Sequence, residues 1–275
     1  MLKKSLLILI LIQINLFAYN LKFIKKINTK IIIGDIYAVN NQIILCDKIN
    51  DKLKFYTPTL KYQKEIAFIY YGDKQLTLKT NNLDISDFNE AVFMDNNRNI
   101  VIFNTTPMIL NFIKTKIDIT PLKLYFLSNG NIIANFNNKL SNISIINNAA
   151  SIIDIFRLSP TQKIIGKENN YIFINDLKNK ELIVITDYGK IINKIPNPIA
   201  DNIKKILIYN TDIMLIPKNE NYIIIKTQAS HQKIKCTNIK LPIQDAAILN
   251  NNIYFLDQNG KIYKYKIITN NTNNK

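Results

Sequence analysis

Tryptophan is absent from this 275-residue chain, histidine occurs once, cysteine twice, and glycine contributes only six residues. A lone histidine, His231 in QASHQKIKC, has no second imidazole with which to build a multi-histidine zinc, copper or iron site, and it is expected on a solvated turn. No CxxC offers redox exchange, and no CxxCH offers haem attachment. Gly-rich phosphate loops, a GxSxG elbow and His-Glu metal motifs are also missing. These absences predict a chain that is not an enzyme and carries no cofactor.

Long hydrophobic runs are scarce too, and the first stands at the N-terminus. Lys3 and Lys4 precede LLILILIQI, and LFA ends at Ala18 where a signal peptidase would cut, so residues 1–18 read as a signal peptide and the mature chain as starting near Tyr19. The run is shorter than the roughly 20 apolar residues a membrane span needs. No twin-Arg pair precedes it and no cysteine follows the cut to carry a lipid, so the expectation is an unfolded, Sec-type export to the periplasm without a transmembrane anchor.

A net charge of +16 raises the question of nucleic acid, because clustered Lys and Arg release counterions on binding phosphate. Here the positive residues are scattered lysines in an Ile- and Asn-rich background, and no basic run is interleaved with aromatics as a stacking platform. Nucleic acid is therefore not expected, while a preference for acidic partners stays open.

What is present is a repeat. DIYAVNNQIILCD runs from Asp35 to Asp47 and DAAILNNNIYFLD from Asp245 to Asp257, matching an acid, an apolar run, an Asn-Asn turn and a closing Asp over 13 positions. Four further units align on the turn, at Val92, Tyr125, Phe156 and Leu207. Each reads as strand, tight turn, strand, with Asn and Gly supplying the positive φ that hairpin turns demand. The residues after the turns, 43, 100, 132, 164, 213 and 253, average 42 apart. That suits four-stranded propeller blades of roughly 40 to 45 residues. Uneven steps, above all 57 between the first two, leave room for a seventh blade.

The expected fold is all-β, a propeller of about six blades over 19–269 followed by a disordered tail at 270–275. The last blade is short of an outer strand and NLKFIKKINTKIIIGD has no blade of its own, so the N-terminal segment should close the ring. A β-sandwich is the alternative. In a propeller, the absence of tryptophan excludes the docking motif and indole platform of quinoprotein blades. Cys46 and Cys236 would fall in separated blades, too far apart for a bridge, and should be buried free thiols. Asp35, Asp154 and Asp245, with Glu90 as a further equivalent, precede strands read as innermost, a possible acidic ring at the channel mouth able to hold calcium. Solvated turn acids are the plainer reading, and Asp47, Asp95, Asp212 and Asp257 read as turn formers. The irregular stretch from Tyr70 to Glu90 and the QASHQ turn are expected contact regions.

A leader, short WD40/YVTN-like blades such as those around DIYAVNNQIILCD and DAAILNNNIYFLD, and an Ile/Lys/Asn-rich composition resemble the NapL family, the propeller accessory proteins of periplasmic nitrate reductase in epsilon-type proteobacteria. The resemblance implies a periplasmic, non-catalytic partner of a respiratory enzyme such as nitrate reductase, with no cofactor of its own. Two other classes fit the same pattern: an adaptor in outer-membrane protein assembly and a calcium-dependent propeller hydrolase.

Overall fold

The computed structural model describes residues 19–71, 73–105, 110–146, 149–197, 199, 202–227 and 231–269. The expected leader and tail, and Gln228 to Ser230 of the QASHQ turn, lie outside the described residues. Strands and turns, with no helix, make up what is described, arranged as six four-stranded antiparallel sheets and one hairpin.

β1 (Tyr19–Asn28) comes first in the chain but belongs to the last blade. Blade 1 comprises, from the axis outward, β2 (Gly34–Val39), β3 (Gln42–Asp47), β4 (Lys52–Tyr56) and β5 (Tyr62–Ile66). The extra hairpin follows, β6 (Phe68–Tyr71) and β7 (Lys74–Thr77). Blade 2 holds β8 (Asp84–Ile85), β9 (Glu90–Met94), β10 (Asn99–Asn104) and β11 (Leu110–Lys116). Blade 3 holds β12 (Lys123–Phe126), β13 (Ile132–Asn135), β14 (Lys139–Ile146) and β15 (Ala149–Arg157). Blade 4 holds β16 (Gln162–Glu168), β17 (Tyr171–Asp176), β18 (Glu181–Thr186) and β19 (Ile191–Pro196). Blade 5 holds β20 (Ile203–Tyr209), β21 (Asp212–Pro217), β22 (Tyr222–Lys226) and β23 (His231–Lys235). Blade 6 holds β24 (Ile243–Leu249), β25 (Asn252–Asp257) and β26 (Lys261–Thr269), with β1 as its outer strand.

The inner strands begin at 34, 84, 123, 162, 203 and 243, in steps of 50, 39, 39, 41 and 40 residues. The long first interval holds the β6–β7 hairpin rather than a seventh blade. Two sequence units were out of phase: Val92 and Ile100 sit on the second and third strands of blade 2, and Phe156 and Ile164 join the outer strand of blade 3 to the inner strand of blade 4.

Why second strands read as unbroken apolar runs follows from this stacking. A blade is covered on both faces by its neighbours, so both sets of alternating side chains are buried, and Ile43, Ile44, Leu45 and Cys46 are all fully inaccessible. Six hydrophobic clusters result, one at each blade interface. Each buried Ile or Leu contributes about 1.5–3 kcal/mol relative to exposure. Asn40 and Asn41 both take positive φ, 46° and 57°, the geometry of a type I′ hairpin turn. Asp47, Asp95, Asp176 and Asp257 each accept two backbone N–H groups from the turn that follows. These carboxylates fix the turns between middle strands of a blade.

β1 closes the ring as expected, pairing with β26 from Tyr19 opposite Thr269 to Asn28 opposite Lys261. Tyr19 is pinned: its N–H donates to Gln232 Oε1 at 2.8 Å, its carbonyl accepts from Gln232 Nε2 at 3.0 Å, and its buried phenol donates to Asp212. Farther along the seam, Thr29 N and Oγ1 both donate to Gly260 O. Gly260 has φ +71°, and a Cβ there would fall 2.0 Å from Ile31 O, so backbone conformation and close approach both require glycine.

Candidate functional site at the central channel

The six inner strands enclose a cavity of about 370 Å³, lined by parts of β2, β8, β12, β16, β20 and β24. That size suits small ligands or a single peptide segment. Its charged side chains fall into three groups with different jobs.

Two buried Asp–Lys pairs lock the wall. Asp84 Oδ2 accepts the Phe126 N–H of the next blade at 2.7 Å and meets Lys167 Nζ at 2.8 Å. Lys167, from blade 4, also donates to Ile85 O and Phe126 O, so one ammonium ties blades 2, 3 and 4. Asp245 does the same on the far side: Oδ2 accepts the Ile36 N–H at 2.8 Å, Oδ1 meets Lys205 Nζ at 2.8 Å, and Lys205 reaches Ile36 O at 3.4 Å. Blades 5, 6 and 1 are joined through it. These charges are spent on each other and on strand ends, which is how the blades register without tryptophan.

At the mouth where inner strands begin, Asp35 faces Lys48 at 2.7 Å and Lys123, from blade 3, at 3.9 Å. Burial works against the Asp35 carboxylate, but Lys123 and Lys48 outweigh it and hold its pKa below the usual range. Lys123 is likewise opposed by burial and held above its usual range by Asp35. Asp35 Oδ2 is sealed from solvent, with the Lys48 ammonium its nearest positive charge. Lys204, on a bulge of β20 and exposed at this mouth, forms no ion pair among the described residues. Burial of its surroundings lowers its pKa, against the pull of Asp245 and Asp35 and with repulsion from Lys48 and Lys218.

The other mouth is acidic. Glu168 ends β16 in the cavity wall together with Asp87, whose carboxylate accepts from Ser128 Oγ. Burial first, and then the Asp87 charge, push the Glu168 carboxyl up to about 7, so near neutrality it exchanges a proton, as a general acid or base must.

Of the acids proposed as a ring, Asp35 and Asp245 do line the channel. The other two do not. Glu90 opens β9, one strand removed from the axis, because the inner strand of blade 2 is the two-residue β8 carrying Asp84. Asp154 lies on the outer strand β15, exposed and paired with Lys139 at 2.9 Å. Both misplacements follow from the two out-of-phase hairpins. Among the described residues no group of three or more His, Cys, Asp or Glu side chains could hold a metal ion. Asp84, Lys167 and Lys205 escaped sequence reading, since nothing local marks a lysine that reaches across two blades.

His231 opens the outer strand β23 and is exposed, far from the channel by topology. Cys46 and Cys236 are buried and free. Burial, and then Asp35, raise the Cys46 thiol; burial pushes Cys236 up to about 12. The Tyr70–Glu90 stretch contains most of the extra hairpin, with Tyr70 and Phe88 exposed by 64% and 66%.

No family model matches the chain, and no curated protein matches it. Among solved structures it is similar to virginiamycin B lyase from Staphylococcus aureus, in selenomethionine-substituted form, with TM-score 0.57 and 14% identity over 91% of this chain and 100% of that one. It is also similar to a catalytically inactive histidine-to-alanine variant of that lyase with quinupristin, with TM-score 0.58 at the same identity and coverage. At this identity the likeness shows the fold alone, and it carries no support for the NapL family in particular. It does overturn the expectation that the chain is not an enzyme, since that expectation rested on missing motifs and the propellers matched belong to a catalytic protein. The chain is a six-bladed β-propeller, similar in fold to virginiamycin B lyase.

Proposed function

We propose that the chain acts as an exported propeller that holds a protein partner at the lysine-bearing mouth of its channel, as an accessory factor of a periplasmic respiratory enzyme such as nitrate reductase. The observation that carries the binding part is the division of labour in the channel: Asp84, Asp245, Lys167 and Lys205 are consumed in holding blades, while Lys204, Lys123 and Asp35 remain at the mouth. Export and the respiratory partner are supported by the leader-like 1–18 segment and by the resemblance carried by DIYAVNNQIILCD.

Affinity purification of a C-terminally tagged chain from periplasmic extract of its native host, with mass spectrometry of what is retained, tests this reading. Recovery of a molybdenum reductase subunit or its chaperones, diminished by Lys204→Glu, is the expected result. Recovery of outer-membrane assembly factors instead would replace the respiratory partner with the adaptor role.

A second reading, a reaction carried out in the channel, is favoured by the titratable Glu168 in the cavity wall together with the lyase likeness. Its test is turnover of quinupristin, the compound found with the similar lyase, by the wild type and by Glu168→Gln.

A further inference from the structure

The face of the ring that carries the lysine mouth also carries exposed aliphatics. Antiparallel order places on one face the loops leading into inner strands and the turns between second and third strands of each blade. Ile32 and Ile33, just before β2, are 62% and 50% exposed, Ile49 in the β3–β4 turn is 56% exposed, and Leu122, just before β12, is 61% exposed. Lys48 N donates to Ile33 O, which sets Ile33 beside the turn bearing Ile49. Blades 1 and 3 thus put large apolar side chains beside the two lysines, Lys48 and Lys123, that converge on Asp35.

We infer that this rim docks an extended acidic peptide with interspersed apolar side chains, from a partner protein; the inference rests on the binding reading above and specifies its chemistry. Charge complementarity selects the acid: Lys48 and Lys123 converge on the single carboxylate of Asp35, and Lys204, exposed at the same mouth, forms no ion pair among the described residues. A peptide that alternates acidic and apolar side chains meets both the lysines and the exposed aliphatics of this rim. Ile32, Ile33, Ile49 and Leu122 then cover the ligand's apolar side chains and exclude water from the ion pairs, which strengthens them.

The probe is a fluorescein-labelled dodecapeptide of alternating Glu and Leu, titrated with the mature chain and read by fluorescence anisotropy. Saturable binding is expected, weakened about tenfold or more by Lys204→Glu and by salt raised to several Debye lengths' worth of screening. Leu122→Ser with Ile49→Ser should weaken it several-fold, and a Glu/Ser dodecapeptide should bind less than the Glu/Leu one. Lys190→Glu, on the opposite face and exposed, should leave it unchanged. Lys204 forms no ion pair among the described residues, so its substitution tests binding without unfolding the ring. Absence of binding, or equal losses from Lys204→Glu and Lys190→Glu, overturns the inference. Anionic phosphatidylglycerol vesicles bound in place of the peptide, with the same Lys204 dependence, overturn it in favour of a membrane surface. Peptide binding that persists when no reductase is retained removes the respiratory partner and keeps the docking chemistry.

Discussion

Replacing Asp84 with alanine should be among the most damaging single changes to this ring. The substitution removes the carboxylate facing Lys167 at 2.8 Å and also the acceptor of the Phe126 N–H. Side-chain exposure is only 5% for Asp84 and 16% for Lys167, so water does little to replace the lost partner. Stranding one member of a buried pair costs about 3–5 kcal/mol, a range that already overlaps the cost of the orphaned amide. The internal control is Asp154→Ala: its pair with Lys139 is nearly as short, 2.9 Å, but 56% and 36% exposed, so solvent screens it and its loss should cost far less. Urea denaturation followed by circular dichroism reads both, and on heating the Asp84 variant should melt roughly 6–20 °C early at about 2–4 °C per kcal/mol. A double variant, Asp84→Leu with Lys167→Met, should recover most of the loss because both charges leave together. Equal costs for Asp84→Ala and Asp154→Ala would refute the staple argument.

Three further outcomes are expected. Glu168 should titrate near pH 7 by carbon-13 NMR rather than near 4.5; because its native pKa is raised, its contribution favours folding below pH 4.5 and is lost as pH rises toward 7, and Glu168→Gln should flatten that part of the stability curve. Both cysteines should resist a thiol reagent such as iodoacetamide in the native state and react on unfolding, and fast native labelling of Cys46 would contradict its burial. Tyr19→Ala removes a buried ring set edge-on to Tyr209 and the donor to Asp212, and should cost about 3–5 kcal/mol in chemical denaturation; a loss under 1 kcal/mol would show that the ring closes without it.

The architecture was legible where chemistry is local. Asn-bearing turns, Asn40-Asn41, Asn129-Gly130, Asn210-Thr211 and Asn250-Asn251, and doubly buried second strands gave the hairpins β2–β3, β12–β13, β20–β21 and β24–β25. Phase was illegible where hairpins are chemically alike: β9–β10 and β15–β16 carry the same strand-turn-strand pattern, and only packing around the axis tells inner from outer. The two-residue β8 gave no run to detect, so Asp84 passed unnoticed while Glu90 was read in its place. Asp35 and Asp245 were found because they open recognisable units. Their lysine partners lie 13 to 88 residues away in sequence, and the ring alone brings them together.

Tyr19 and Thr269 stand opposite each other at the end of the last blade, and strand direction puts both on the face away from Lys48, Lys123 and Lys204. A bead or surface attached at Tyr19 or Thr269 therefore lies on the face opposite the lysine rim and leaves its approach unobstructed.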